Sequence, residues 1–394
     1  MSKEGYFHPV FLFGVFVFSM TVVGEIGMAA NMNGTLMFFR AYELAVSPGE
    51  MFILAEEQLL LFTAVYAGYV MVRGVREQEF EHTRWERTTL DYLWPVFYFV
   101  GIAALLYLIL SAGGFGELFG SLGEKYERAA GKGEIVLLVQ FAYAGILFWY
   151  RKNIARPVWQ RYGGIVALNL PLLLSGSRTG MLISLLAAGY MDERTGRRID
   201  LRFVAGAGLL LAIFFAAYGT FRGQIPFDFF SQISKNLSMG IGYVVAVQTG
   251  IIGEQFKPEM LLLTFSSILP GALESFAGFP ESPNYIFSQE LLPGTPVTVS
   301  MGVMGEANFV LHYGWSFFYY LLLGITLTWI GSFGWKKSLL LAAVVAGGTV
   351  RVAKGGITAG GANIIMIALP IILAYLLVLL WSKYSKDEKL LRRQ

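Results

Sequence analysis

The stretch YGGIVALNLPLLLSGSRTGMLISLLAAGYM, residues 162–191, decides the fold. It is apolar over 30 residues and is interrupted at its middle by Ser175-Gly176-Ser177-Arg178-Thr179-Gly180. A helix needs about 20 apolar residues to cross a hydrocarbon core, so this stretch is too long for one crossing and short for two. The flanks settle the matter. Arg151, Lys152, Arg156 and Arg161 precede it, and Arg194, Arg197, Arg198 and Arg202 follow it. Lys and Arg collect on the inner side of a membrane, so both flanks are inner. The stretch therefore runs out and comes back, with its turn at the outer side, sunk below the headgroups. Residues 338–381 repeat the logic around Arg351-Val352-Ala353-Lys354-Gly355-Gly356. Gly-rich breaks at depth are tolerated only where protein or a water-filled cavity satisfies the backbone. Two such dips on one side imply an outward-open polar cavity.

The rest of the chain agrees. Its 394 residues are 55% hydrophobic and only 14% charged, with a mean hydropathy of +0.57. Soluble domains carry about 25% charged residues. This composition excludes a soluble globular enzyme and a disordered chain; with no Cys, it also excludes a disulfide scaffold and a zinc finger. A net charge of +3 gives no nucleic-acid footprint. The fold class is all-α, a multi-spanning transmembrane helix bundle forming one integral membrane domain over residues 1–394. Ten spans are predicted, at 9–30, 51–72, 91–112, 134–150, 162–177, 179–191, 203–220, 304–330, 338–350 and 362–381. The first run follows only Lys3 and lacks a cleavage pattern, so it is expected to stay as a span. With both termini inside, the inner segments hold 20 of the 30 basic residues. Residues 221–303 form one large outer loop with seven prolines and two apolar runs, read as short helices at the interface. An extra hairpin there would give twelve spans, but its inner turn would carry only Lys257, which the positive-inside rule disfavours.

Charges within spans are costly and are functional candidates. Glu25, Glu56, Glu57, Arg178, Arg222, Glu306, His312, Arg351 and Lys354 all fall in the outer half or at the outer edge, whereas segments such as 60–72, 182–191 and 339–350 carry none. A transporter must pass polar cargo through both halves. A site working at the outer leaflet need not. Structural readings stand beside the functional ones: Glu56 and Glu57 as partners of Arg40 or another Arg, Glu25 as a helix-end carboxylate, His312 as a packed histidine. Arg178, Arg222 and Arg351 run against the orientation rule, at helix starts or Gly-rich turns.

Guanidinium groups fork onto phosphate oxygens and keep their charge at any depth. Arg178 also stands at a helix N-terminus, where free N–H groups favour anions. Such Arg in an outward cavity suit a phosphate or diphosphate on a lipid. The outer loop adds Phe227, Phe229, Phe230, Phe276, Phe279, Tyr285 and Phe287 among Asp228, Glu274, Glu281 and Asn284, a combination compatible with a saccharide surface. The three His residues (His8, His82 and His312) lie far apart and offer no metal constellation. No P-loop and no dinucleotide fingerprint is present.

The Leu-Ser-Gly-Ser-Arg178-Thr-Gly helix entry, the outer Arg222 one span later, the long outer loop, and Gly305-Glu306-Ala307-Asn308-Phe309 followed by Tyr313-Gly314-Trp315 resemble the Wzy-type O-antigen and oligosaccharide repeat-unit polymerases. The resemblance covers roughly residues 160–320. It implies a metal-independent glycosyltransferase of the multi-spanning GT-C class in the bacterial inner membrane, with both termini cytoplasmic, the active site periplasmic and no cofactor. Donor and acceptor would both be undecaprenyl-diphosphate-linked oligosaccharides, with a chain-length regulator as a further partner. O-antigen ligases share the architecture but carry a His-Asn pair where this chain reads Glu306-Ala307-Asn308, which argues for a polymerase. A ligase, or a flippase or transporter of lipid-linked glycan, is the alternative reading.

The implied roles follow. Arg178 and Arg351 grip the diphosphate and stabilise the charge growing on it, and Arg222 assists or holds the second lipid. Ser177, Thr179, Asn308 and Lys354 are the expected substrate contacts. Glu306 takes the acceptor hydroxyl's proton as general base, with His312 as second choice.

Overall fold

The computed structural model describes residues 6–29, 47–72, 92–111, 133–174, 178–197, 302–311, 315–332 and 339–391, with isolated positions from 206 to 286. The predicted span 203–220 and loop 221–303 thus lie almost wholly outside the described residues. Among those described, helix is the only regular structure. Helices α1 to α6 are Pro9–Ala29, Pro48–Val72, Trp94–Ser111, Gly133–Lys152, Val158–Leu174 and Arg178–Arg194. Then come α7 (Gly302–Leu311), α8 (Ser316–Ser332) and α9 (Leu339–Leu391). Five described helical segments are long and apolar enough to cross a membrane: Pro48–Val72, Trp94–Ser111, Ile135–Lys152, Leu339–Thr358 and Gly360–Trp381.

Local chemistry explains several boundaries. Ser47 starts α2 by reciprocal capping: the Glu50 N–H donates to Ser47 Oγ at 3.3 Å and the Ser47 N–H donates to Glu50 Oε2 at 2.6 Å. Pro48 takes the first helical position, where its missing N–H costs nothing. Within α5, Pro171 removes one ladder bond; just before it, the Leu168 carbonyl accepts the Tyr98 hydroxyl at 3.0 Å.

Lipid offers apolar side chains no advantage for helix association, so close backbone contact carries it. Glycines supply that contact here. A Cβ on Gly68 of α2 would strike the Leu321 carbonyl and the Ile325 nitrogen of α8, and one on Gly324 would strike Val65. Gly101 of α3 meets Ala142 of α4 in the same way, and Gly347 of α9 meets Ile183 of α6. Lipid-facing positions stay apolar, including Phe52, Leu59, Tyr66, Leu377 and Leu380.

The helix ends sort into two groups. The Tyr6 and Phe7 N–H groups donate to the Glu193 carboxylate at the end of α6, at 2.5 and 2.8 Å. His8 packs edge-on against Tyr69 near the end of α2, and Lys152 of α4 lies over Tyr92 beside the start of α3. Arg161 of α5 pairs with Asp192 of α6 and takes the Tyr150 hydroxyl of α4 as acceptor at 2.7 Å. The N-terminus and the segments that the charge rule places inside therefore share one end of the bundle. Arg161, counted in the sequence with the inner loop, is only 1% exposed; its ion pair locks α5 to α6.

Both predicted hairpins fold back. In the first, α5 and α6 are antiparallel, joined at Arg161 and Asp192. In the second, α9 breaks at Gly356, whose φ of 77° and ψ of −177° are non-helical. A Cβ on Gly360 would meet Val352, and one on Gly348 would meet Ile364, so the second arm doubles back along the first. The structure corrects two details. The predicted turn 351–356 is helical as far as its last residue, which puts Arg351 and Lys354 on a helix. Within the predicted span 304–330 the structure describes two helices, α7 and α8, with residues 312–314 between them outside the described residues. Residues 302–310 of α7 are all buried, so α7 is an internal helix rather than the first turns of a crossing.

Candidate functional site

The antiparallel register of α6 and the first arm of α9 positions the expected diphosphate ligands. Gly347 packs on Ile183 and Ala187. Counting from there towards the start of α6 and along α9 brings Arg178 level with residues 351–354, at about 1.5 Å per residue on each helix. This end lies opposite Glu193 and the N-terminus. Arg178 opens α6, although its side chain lies outside those described. Thr179 follows in the first turn and is half-buried, and Arg351 and Lys354 are half-buried on α9. Gly180 is fixed by packing, because a Cβ there would overlap the Tyr143 ring. Ser177, Arg222 and His312 lie outside the described residues. The end of the bundle predicted to face outward thus holds three of the expected cationic positions.

Glu306 sits elsewhere in that region and is sealed. It is 0% exposed. Its Oε1 accepts the Tyr319 hydroxyl at 2.5 Å and the Thr358 N–H at 3.1 Å, and its Oε2 accepts the Thr358 hydroxyl at 2.5 Å. Tyr319 in turn accepts the Ile357 N–H at 3.3 Å. The first N–H groups of a helix have no partner within the helix. After the break at Gly356, those of the second arm of α9 end on Glu306 of α7 and Tyr319 of α8. The carboxylate also packs directly over Gly356, where any Cβ would collide with Oε2. Positive φ and this contact both demand glycine. The arrangement is a side-chain clamp on the α9 break, in which the Thr358 N–H, the Thr358 hydroxyl and the Tyr319 hydroxyl meet one carboxylate and the Ile357 N–H meets Tyr319.

A second buried carboxylate is held by the same two helices, α7 and α8. Glu57 of α2 is 3% exposed. Its Oε1 accepts the Asn308 Nδ2 at 2.7 Å and the Tyr320 hydroxyl at 2.5 Å. Asn308 Nδ2 also donates to the Met304 carbonyl at 3.0 Å, which fixes the orientation of the amide. Asn308 Oδ1 is buried and accepts no hydrogen bond among the described residues. The two clusters share their elements: residues 306 and 308 project from α7, and residues 319 and 320 from α8. Glu56, its neighbour in sequence, is exposed, and Arg40, its suggested partner, lies outside the described residues.

The sequence named Glu306, Asn308 and Glu57 without joining them and placed Gly356 in a Gly-rich turn, but Tyr319, Tyr320 and Thr358 were missed. The available signal was the consecutive Tyr319-Tyr320 pair in an apolar span, since buried tyrosine hydroxyls need acceptors. No protein-family model, no curated protein and no solved structure matches this chain.

Proposed function

We propose that the chain joins lipid-diphosphate-linked oligosaccharide repeat units at the outer face of a bacterial inner membrane, as a glycosyltransferase building a surface polysaccharide. The observation that carries this reading is the level placement of Arg178, Arg351 and Lys354 at the end of the bundle remote from the basic loops. Cations set there against the orientation rule favour an anionic ligand at that depth. A lipid diphosphate supplies one at the depth of the headgroups, and the motif resemblance names the same class of substrate.

In this reading Arg178 and Arg351 hold the diphosphate of the donor lipid, with Lys354 beside them and Arg222 serving the second lipid. The acceptor hydroxyl attacks the anomeric carbon, the bond from carbon to phosphate oxygen breaks, and its electron pair passes to the diphosphate. Fixed guanidinium groups stabilise that developing charge without reorganising. Attack opposite the leaving group inverts the anomeric centre. Glu306 acts here as a positioning residue. Its carboxylate would have to give up the donors that clamp α9 before it could take a proton, so its place in the reaction is to hold the break that carries Arg351 and Lys354.

Purified protein given its lipid-linked repeat unit yields a ladder of lipid-linked products separated by one repeat. Arg178→Ala and Arg351→Ala fold but extend poorly. Arg178→Lys is also impaired, because a point charge lacks the fork. Flipping or uptake in sealed vesicles without a new glycosidic bond would instead favour a carrier, and transfer only onto lipid A core would favour a ligase.

A further inference from the structure

We infer that the N-terminal segment Tyr6-Phe7-His8 is a strap that fixes the axial position of α6 from its Glu193 end, and with it the position of Arg178 at the other end. The device needs no substrate and stands apart from the glycosyl-transfer reading. Three contacts dock the strap. The Tyr6 and Phe7 N–H groups donate to the two oxygens of Glu193, at 2.5 and 2.8 Å. The Phe7 ring fills a notch over Gly189 of α6, where any Cβ would overlap it. His8 is 4% exposed and meets Tyr69 of α2 edge-on. The strap thus bridges α6 and α2 immediately before α1 begins at Pro9.

The last turn of α6 is firmly closed. Gly196, at a φ of 73°, ends it. The Gly196 N–H donates to the Glu193 carbonyl at 3.1 Å and the Arg197 N–H to the Asp192 carbonyl at 2.9 Å, the paired bonds of a glycine-terminated helix. Thr195 Oγ donates to the Met191 carbonyl at 2.8 Å. The same turn presents Asp192 to Arg161 and Tyr162 of α5 and Glu193 to the strap. Two consecutive carboxylates therefore fasten α6 to two different elements. From Glu193 to Arg178 runs one continuous helix, about 22 Å long at 1.5 Å per residue. Pro171 interrupts α5 and Gly356 breaks α9; α6 has no proline and no break, so a shift at one end reaches the other. Against α9 it packs through small groups, with Gly347 on the Ile183 carbonyl and Ala187. Such a surface permits close approach but does not by itself oppose a slip along the axis.

Helices in switching proteins shift by about 1–2 Å, and a misplacement of about 1 Å can slow a reaction about 100-fold. Arg178 stands level with Arg351 and Lys354, so releasing the strap changes the spacing of these cations. Phe7 and Glu193 are positioning residues that act on Arg178 through α6. The strap is a control point at the end of the bundle that carries the basic loops, and its effect is felt at the opposite end. Under the glycosyl-transfer reading, that spacing governs the grip on the diphosphate.

The test uses purified full-length protein in lipid nanodiscs, without substrate. The chain has no cysteine, so Thr179→Cys in the first turn of α6 serves as the reporter. Ser111→Cys, at the end of α3, serves as the control, because α3 packs on α4 through Gly101. Phe7→Ala combined with Glu193→Ala removes the ring and the acceptor that hold the strap. Amide protection of residues 6–12 should then be lost, and maleimide should react with Thr179→Cys about fivefold faster or more, the lower end of a typical coupling between sites. The rate at Ser111→Cys should stay within about twofold. If residues 6–12 lose protection while Thr179→Cys keeps its original rate, or if both reporters speed up alike, the strap does not set α6 and the inference is wrong. It is equally wrong if the double variant keeps its protection, because these contacts then do not hold the strap.

Discussion

At the scale of single residues, the site depends on two buried carboxylates with different surroundings. Glu306 accepts described hydrogen bonds on both carboxylate oxygens, and Glu57 accepts two on Oε1. Tyr319→Phe removes one donor from Glu306 and the acceptor of the Ile357 N–H. An intramolecular hydrogen bond contributes about 0.5–1.5 kcal/mol and a buried group left unmet costs about 1–3 kcal/mol, so this variant should unfold at a lower temperature in a melting assay. A melting curve identical to wild type would show that the clamp does not hold α9. Gly356→Ala should cost more. It places a Cβ at positive φ, which strains the backbone by about 1–3 kcal/mol, and drives it into the Glu306 carboxylate. Near-normal expression and melting of Gly356→Ala would contradict the clamp. Glu306 and Asn308 were legible as polar residues in an apolar span. Their partners were not, because the contacts bridge 251 residues to Glu57 and 52 residues to Thr358, and no local pattern encodes such distances.

At the scale of elements, the hairpins were readable because charge and length conflicted. A 30-residue apolar stretch with Arg on both flanks has one solution, and α5 and α6 adopt it. The division into α7 and α8 was not readable, because residues 304–330 are mainly apolar, with Glu306, Asn308, His312, Ser316, Thr326 and Thr328 as scattered polar positions. The burial of residues 302–310 distinguishes α7 from α8. Helix crossings were hidden too, since Gly68 and Gly324 gain meaning only once α2 and α8 are adjacent. Gly324→Leu should force these helices apart and lower the melting temperature sharply, whereas Gly163→Leu, with open space around it, should leave stability nearly unchanged. Equal effects of the two would argue against this crossing. The docking of the N-terminus makes a pH prediction. Burial pushes the Glu193 carboxyl above its ordinary range, against the opposing pull of the Phe7 and Tyr6 N–H groups and Arg194. A carboxyl raised in the folded state penalises folding above that value, and the penalty fades as pH falls through it. Amide protection of residues 6–12, corrected for intrinsic exchange, should therefore hold or strengthen from about pH 7 to about pH 5. Early loss on acidification would contradict this account of the docking.

At the scale of the whole molecule, the claim that everything else needs is sidedness. The basic ends of α4, α5 and α6 gather with the N-terminus, and Arg178, Arg351 and Lys354 lie at the other end. The sequence showed this division through its loop charges, and the Glu193 and Asp192 contacts agree with it. A chain without cysteine allows a clean test. Single-cysteine variants Ser175→Cys and Thr195→Cys can be exposed in intact cells to a maleimide that does not cross membranes, with the outer membrane made permeable. The account predicts that Ser175→Cys reacts from the outside, and that Thr195→Cys reacts only after the inner membrane is opened. The reverse pattern, or reaction of both from the same side, would contradict it.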